Sequence, residues 1–449
     1  MPDDFIRIFS LNCWGLKYVS KNRAERVRAI ANFLSTVSYD LVCLQELWVR
    51  QDFETICASV SHNLPFVKLF HSGAVGAGLA VFSRFPIVAA SMQVYSLNGS
   101  PLDFKGADWF AGKAAASVVL EHPSLGDLQV FNTHLFSEGG DDGPEHNRAH
   151  RLVNAWEFAK LAKQSAEIGR YVIAIAQAGD FNSIPSTLPM TIVYEHAGLT
   201  DAWRCLHPPP PQDRRFGIDP ADAISLYGFT YDSPLNSYTV GKSSFVPRGK
   251  RLDYILFRNP TPSVTSPSTS STSLPKLVPT ATRVLLTDPV PGNSFSYSDH
   301  YGVEATFKIE NLPKKVPSLV DQVALDGNPP TASSDAAFTN DQNSQLGREH
   351  TLMVIHALQT RLGHAIVEAR NYMRVYFTSV VLLVVLLIGT GWSPKGYLTP
   401  VFVFLGLILT YIGTTAFYVG FLYGRWEANA LRNAIEELEL FLVQRSRLN

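Results

Sequence analysis

At 449 residues the chain is long enough for two or three domains, and Lys+Arg 38 against Asp+Glu 39 leave a net charge of -1, which excludes the broadly basic surface of a nucleic-acid binder. Hydrophobic residues are 46% and charged residues 17%, an oily balance whose excess lies toward the C-terminus. The four cysteines (Cys13, Cys43, Cys57, Cys205) lack Cys-x-x-Cys spacing, so they are read as buried thiols of a reducing compartment rather than as metal ligands or a disulfide framework.

The chain opens on an acidic and then strand-like stretch, not on the apolar core of a secretory signal. Phe5 to Leu11 alternates as a strand, Arg23 to Leu34 carries Val27, Ile30, Ala31 and Leu34 at helical spacing, and Leu41 to Leu44 is a buried-strand run. Strand patterns recur at Gly78–Phe82, Leu128–Phe131, Tyr171–Ala178, Leu252–Phe257 and Val303–Phe307, so residues 1–308 are expected to form a layered α/β domain. Gly73–Gly78 lacks the Gly-Lys-Ser/Thr ending of a phosphate-binding loop and is read as a glycine turn. Residues 260–280, rich in Ser, Thr and Pro, are expected to be a disordered insert, and residues 309–345 a linker.

Two nearly uncharged runs follow, at about 375–391 and 398–423, each within the roughly 17–25 residues that span a bilayer. Only Trp392–Tyr397 joins them, so they form a hairpin, with Tyr372, Trp392, Tyr397, Tyr423 and Trp426 expected at the interfaces. Arg370, Arg374, Arg425 and Arg432 flank the outer ends against Lys395 in the turn, which puts both flanks and the α/β domain in the cytosol. The membrane is expected to be the endoplasmic reticulum or the mitochondrial outer membrane. Leu352, Ile355, Leu358, Leu362 and Ile366, and then Leu431, Ile435, Leu438 and Leu442, extend the hairpin as two amphipathic helices within 346–449. Their apolar stripes must be buried against each other, against the α/β domain or in a second copy of the chain, a homodimer.

Polar residues cluster just after the strand patterns, where loops at the carboxyl ends of strands build active sites. They are Asn12 in Leu-Asn-Cys-Trp-Gly, Glu46 in Leu-Gln-Glu, His134 in Asn-Thr-His-Leu, Asp180 and Asn182 in Gly-Asp-Phe-Asn, Asp253 in Arg-Leu-Asp-Tyr and Asp299-His300 in Ser-Asp-His. Singly, each is an ordinary turn, cap or ion-pair residue. In this order they resemble the endonuclease–exonuclease–phosphatase superfamily, over roughly Phe5 to Phe307. The start, the segment Asp108–Lys113 and the C-terminal hairpin are similar to the neutral sphingomyelinases and to the fungal inositol phosphosphingolipid phospholipases C.

The resemblance implies a four-layered α/β sandwich and a phospholipase C-type phosphodiesterase acting on sphingophospholipids. A carboxylate such as Glu46, with Asn12 beside it, suits Mg²⁺, which binds through one or two carboxylates plus substrate phosphate. His300 suits a general base, and the resemblance assigns its orienting carboxylate to Asp253. It also implies that Asp180 and Asn182 orient the nucleophile and donate to the phosphoryl oxygens. His134, if protonated, would neutralise charge on the phosphate, and Asp299 would be a further metal or water contact. Asp108 and Lys113 match a pair the sphingomyelinase branch uses as a switch. Arg370, Arg374 and Arg425 would sit at headgroup level, so anionic phospholipids are expected activators. The head group stays open between inositol phosphate, phosphocholine and a lyso-phospholipid. A nuclease and a catalytically silent membrane adaptor are the competing classes, against which stand the charge balance, the hairpin and the filled catalytic set.

Overall fold

The computed structural model describes residues 4–103, 108–137, 145–177, 184–207, 209, 218–239, 249–260, 274–311, 345–392 and 395–448. In chain order the elements are β1 (Phe5–Asn12), α1 (Arg23–Thr36), β2 (Leu41–Gln45), α2 (Arg50–Val60), β3 (Phe66–Leu69), β4 (Ala80–Ser83), β5 (Ile87–Val94), α3 (Asp108–Ala111), β6 (Ala114–His122), β7 (Gly126–His134), α4 (Glu145–Glu167) and β8 (Tyr171–Gln177). Then come α5 (Leu188–Glu195), β9 (Thr200–Asp201), α6 (Ala202–Leu206), α7 (Pro220–Ser225), β10 (Asp253–Arg258), β11 (Lys276–Leu285), β12 (Gly302–Glu310), α8 (Arg348–Thr390), α9 (Thr399–Phe417) and α10 (Gly424–Leu448).

Two six-stranded sheets form, in the orders β11-β12-β1-β2-β4-β3 and β5-β6-β7-β8-β10-β9. Each is antiparallel except for one parallel pair near its centre, β1 with β2 and β7 with β8. The sheets face each other across an apolar core that joins Ile6, Ile8, Cys43 and Val81 to Val118, Val130, Ile173 and Ile175. Helices α1 and α2 cover one outer face through Val27, Ile30, Leu34 and Ile56. The other face is covered by α4 and α5. Helix, sheet, sheet, helix gives the four layers expected.

The register explains why chemistry collects at one end. Asn12 pairs with Gln45, and His134 with Gln177, so both parallel pairs deliver their carboxyl ends to the same edge of the sandwich. Strand β10 runs the other way, and its first residue, Asp253, lies opposite Gln177.

The insert expected over 260–280 is shorter than that, because Lys276–Thr280 belong to β11. Pro279 disguised the strand. It lies at a register shift on the edge of the sheet, where a missing N–H costs little of the ladder. The linker likewise begins later, since β12 continues through Glu310.

Helix α8 runs unbroken for 43 residues, about 64 Å at 1.5 Å per residue and twice the hydrocarbon core of a bilayer. It and the helical run 396–447 are long and apolar enough to cross a membrane, and their most apolar windows are 6% and 11% buried within the chain. A soluble core helix would be mostly buried, so the exposure of these faces is compatible with membrane spans. The first half of α8 lies instead on the α/β domain. Leu346, Val354, Ile355 and Leu358, with Leu431, Ile435 and Leu438 of α10, share one core with Leu152, Val153 and Trp156 of α4. The amphipathic stripes are thus buried within the chain itself, although Leu352 stays 47% exposed.

A buried ion cluster pins this joint. Arg361 of α8 donates through Nε (2.7 Å) and Nη2 (2.6 Å) to Glu427 Oε1 of α10, and His150 Nε2 of α4 lies 2.9 Å from the same oxygen. Burial alone would raise the Glu427 carboxyl, but its His150 and Arg361 partners bring it below its ordinary value. Its contribution to stability is therefore complete above the ordinary carboxylate range and fades as pH falls through the lowered value. Glu427→Ala leaves Arg361 with only Glu368, and we expect a loss of about 3 kcal/mol, read as a lower thermal midpoint of the full chain in detergent. An unchanged midpoint would show that the cluster contributes nothing.

Candidate active site

Asn12 ends β1 and Glu46 follows β2. Asn12 donates from Nδ2 to Glu46 Oε1 (2.9 Å), while its Oδ1 accepts the Trp14 N–H (2.7 Å). Glu46 has φ 52 and Trp14 φ 44, a left-handed conformation that costs energy in residues other than glycine. Neighbouring backbone bonds impose it, with Gly15 N–H donating to Glu46 O (2.9 Å) and Leu47 N–H to Gly78 O (3.0 Å). Gly15 must be glycine, since a Cβ there would stand 2.4 Å from that Glu46 oxygen. Burial pushes the Glu46 carboxyl up, opposed by the Lys113 ammonium and reinforced by Asp299.

Below this pair a polar network crosses between the sheets. Gln45 Nε2 donates to Asn132 Oδ1 (2.8 Å), and Asn132 Nδ2 donates to Leu44 O and Ala80 O (3.0 Å each). Both residues are fully buried, and neither was picked out from sequence, although they sit inside the Leu-Gln-Glu and Asn-Thr-His motifs. Arg26 is the other omission. It is 0% exposed on α1 and donates to the carbonyls of Lys21, Cys13, Tyr297 and Trp14 at 2.7–3.0 Å, binding the loop after β1 to the loop before His300.

Lys113 is no solvated loop residue. It is 3% exposed, with Nζ 3.3 Å from Asp108 Oδ1 and against the edge of the His134 ring, 2.6 Å from Nε2 and 2.9 Å from Nδ1. The two side chains are direct neighbours in the buried site. The ammonium of Lys113 thus stands beside His134 at this corner of the site. Asp108 is fixed from its other oxygen, which accepts the Ser137 N–H (2.7 Å) and hydroxyl (2.6 Å).

His300 Nδ1 lies 2.9 Å from Asp253 Oδ2, with both residues buried and the Tyr231 ring 4.6 Å from the imidazole. The contact with Asp253 places a proton on Nδ1, and Nε2 is an acceptor when the ring is neutral. Burial opposes charge on the ring, but the Asp253 carboxylate outweighs it and raises His300 to about 9, with Asp299 and Glu46 adding to the effect. Asp299 accepts from Ser298 Oγ (3.2 Å). Asp180 and Asn182 lie outside the described residues.

The glycine turn packs on α3, with Ala74 N–H donating to Phe110 O (2.7 Å). A Cβ on Gly73 would stand 2.4 Å from that oxygen. The hairpin reaches the same region. Tyr423 OH donates to Gly99 O (2.7 Å), Trp426 Nε1 to Ser96 O (2.9 Å), and Trp109 packs edge-on to Tyr418 at 6.3 Å. Tyr423 and Trp426 thus hold the α/β domain, where the sequence suggested interface anchors only. Nearby, Arg370, Arg425 and Arg432 line a groove of about 600 Å³ between α8 and the wide turn Tyr418–Tyr423 that leads into α10. Arg374 is not among its lining residues and donates to Asn371 Oδ1 (3.0 Å).

Glu46 and Asp299 offer hard oxygen donors, and among the described residues no group of three or more His, Cys, Asp or Glu could hold a metal. A raised carboxyl with a second acidic group nearby fits a cation that takes few protein ligands, as Mg²⁺ does.

Residues 9–300 match the family described as Endonuclease/Exonuclease/phosphatase. An inositol phosphosphingolipids phospholipase C of Schizosaccharomyces pombe is 34% identical over 444 residues, 97% of this chain and 93% of that protein. Sphingomyelin phosphodiesterase 2 of Rattus norvegicus is 28% identical over 454 residues, 98% of this chain and 92% of that protein. Among solved structures, beta toxin of Staphylococcus aureus is similar over 67% of this chain and 99% of its own, with 18% identity and a TM-score of 0.49.

Proposed function

Since the chain belongs to the endonuclease/exonuclease/phosphatase family, and within it to the branch of inositol phosphosphingolipid phospholipases C and sphingomyelin phosphodiesterases, we propose that it is a Mg²⁺-dependent phospholipase C-type hydrolase of sphingophospholipids. Water attacks phosphorus, the bond from phosphorus to the ceramide oxygen breaks, and ceramide leaves with the phosphorylated head group free. The observation that carries the reading is the convergence of Glu46 with Asn12, Lys113 with His134, and His300 with Asp253 at the carboxyl edge of the central strands.

Each pair has a task. His300 Nε2 takes the proton of the attacking water, and Asp253 fixes the ring and supports the charge it gains. Lys113, positioned by Asp108, places a cation where the phosphoryl oxygens gather charge. His134 orients that ammonium, and the roles that the resemblance implies for Asp180 and Asn182 are to orient the nucleophile and donate to the phosphoryl oxygens. Glu46, with Asn12 and Asp299, would hold Mg²⁺, which when bound would polarise the phosphoryl group and stabilise the leaving oxygen. A cation bound there would offset the Glu46 and Asp299 charges that add to the proton affinity of His300.

The hairpin stands the site beside the bilayer that contains the substrate. The arginine flanks favour a cytosolic face, of the endoplasmic reticulum or mitochondrial outer membrane. The groove with Arg370, Arg425 and Arg432 suits an anionic phospholipid headgroup, each basic residue gaining about 1 kcal/mol. Anionic lipid should therefore raise turnover on vesicles, and glutamine at all three positions should remove that rise while leaving metal binding intact. A wild-type response that is flat with anionic lipid content would end this part of the reading.

The whole reading is tested with the full chain in mixed micelles against inositol phosphoceramide, sphingomyelin and a DNA duplex. Release of ceramide that stops on chelation and returns with Mg²⁺ is expected. Cleavage of the duplex alone would overturn it.

A further inference from the structure

The proposed metal ligands and the proposed base sit on loops that strand pairing does not hold together. β1 pairs with β12 as far as Ser10 opposite Val303, so Asn12 at the end of β1 and His300 ahead of β12 both lie beyond the shared ladder. Glu46 likewise follows the last pair of β1 with β2, Asn12 opposite Gln45. The spacing between these loops has to be set by side chains, and Arg26 of α1 bonds to both.

Arg26 lies among the buried residues of α1, with Val27, Ile30 and Leu34. Its guanidinium bonds to four backbone carbonyls. Nη1 donates to Cys13 O (2.7 Å) and Tyr297 O (3.0 Å), Nη2 to Trp14 O (2.7 Å) and Nε to Lys21 O (2.9 Å). The cation also lies 4.9 Å from the Trp14 ring and 5.7 Å from the Tyr238 ring. Burial works against its charge, and Tyr238 and Asp299 are the first groups to offset that. A buried cation held by carbonyls is a costly way to fill an interface that Val27 and Ile30 fill with apolar surface. What it supplies is direction. The planar fork fixes the angles between its partners, which an ammonium on a flexible stem does not.

Both arms of the fork end on loops of the site. On one side Trp14 is held with φ 44, and its N–H makes the 2.7 Å bond that fixes Asn12 Oδ1, which leaves Asn12 Nδ2 to Glu46 Oε1 at 2.9 Å. On the other, Tyr297 stands two residues before Asp299 and three before His300. The intervening Ser298 accepts from Asn236 Nδ2 at its carbonyl (2.9 Å) and donates from its hydroxyl to Asp299 (3.2 Å). Building on the proposed Mg²⁺-dependent activity, we infer that Arg26 is a positioning residue of the reaction. It sets the distance between the Asn12–Glu46 loop, which would hold the cation, and the Asp299–His300 loop, which brings a further oxygen donor and the base. Arg26 acts through Cys13, Trp14 and Tyr297 rather than on the substrate itself.

The test titrates the full chain in detergent with Mg²⁺ by calorimetry, without substrate. It then measures kcat and KM in mixed micelles on whichever of inositol phosphoceramide and sphingomyelin the wild type hydrolyses. Arg26→Lys keeps the charge but loses the fork. It should weaken Mg²⁺ binding and lower kcat, each about tenfold, with KM for the lipid changed less than about twofold, as befits a group that supports metal ligands and reacting groups without touching them. Arg26→Met should lose more on both counts. Glu427→Ala, at the joint of α4, α8 and α10, is the comparison, and should lower the thermal midpoint while leaving Mg²⁺ affinity as in the wild type. Wild-type Mg²⁺ affinity and kcat per folded molecule in Arg26→Lys would overturn the positioning role and show a purely structural arginine. An equal loss of affinity in Glu427→Ala would overturn it too, as a general loosening. Arg26→Lys decides the matter if Arg26→Met does not fold. A wild type that binds Mg²⁺ but hydrolyses neither lipid defeats the proposed substrate alone, and the titrations still judge Arg26. A wild type that binds no Mg²⁺ overturns both.

Discussion

Replacing His300 by alanine should lower kcat by about 10²–10⁴-fold with little change in KM, the usual contribution of a positioned general base. The imidazole is buried, and its Nδ1 is committed to Asp253 at 2.9 Å. Asp253→Asn should fall in the same direction by less, because an amide can face the ring but cannot support its positive charge. The asparagine variant should also lose the high proton affinity that the carboxylate confers on His300, which carbon-13 or nitrogen-15 titration of the ring would record as a downward shift from about 9. Normal turnover in both variants would show that the proton of the attacking water goes elsewhere.

Glu46→Ala should abolish Mg²⁺-dependent turnover and leave the fold in place. Glu46 is held in the left-handed region by backbone hydrogen bonds that do not involve its side chain, so truncation removes the carboxylate without releasing the loop. Burial raises the Glu46 carboxyl, with Asp299 adding to it, so deleting the side chain should relieve rather than strain its surroundings. Calorimetric titration with Mg²⁺ separates the cases. Loss of binding together with loss of turnover supports the ligand role, whereas full activity of the variant in chelator would remove metal from the mechanism.

Much of the site was legible in sequence because its residues follow strand patterns directly, and the parallel pairs of both sheets bring those carboxyl ends to one edge. Elements without such a signal were missed. Strands β5 and β6, Ile87–Val94 and Ala114–His122, carry runs of alanine, a weak strand former. Helix α4 lacks a polar stripe because it is sandwiched, with the second sheet on one side and α8 and α10 on the other, so its apolar positions run around it. Gln45, Asn132 and Arg26 were hidden for another reason. A polar residue in an apolar stretch reads as solvated, and only the fold reveals that its partners are side chains or backbone carbonyls of distant segments. The pairing of Lys113 with both Asp108 and His134 was equally beyond spacing, since it depends on where the short helix α3 lies relative to the end of β7.

On the proposed reading, in which α8 crosses the bilayer, this unbroken helix has a kinetic consequence. An enzyme rooted in the leaflet that holds its substrate meets that substrate by lateral diffusion in a plane. The effective substrate concentration is then the mole fraction of sphingolipid in the bilayer, not its amount per litre. Spreading the same vesicles through more buffer leaves each encounter as frequent as before, whereas mixing inert lipid into them makes encounters rarer. Ceramide set free in that plane stays there as well, so local composition, rather than bulk supply, governs how fast such a protein can work.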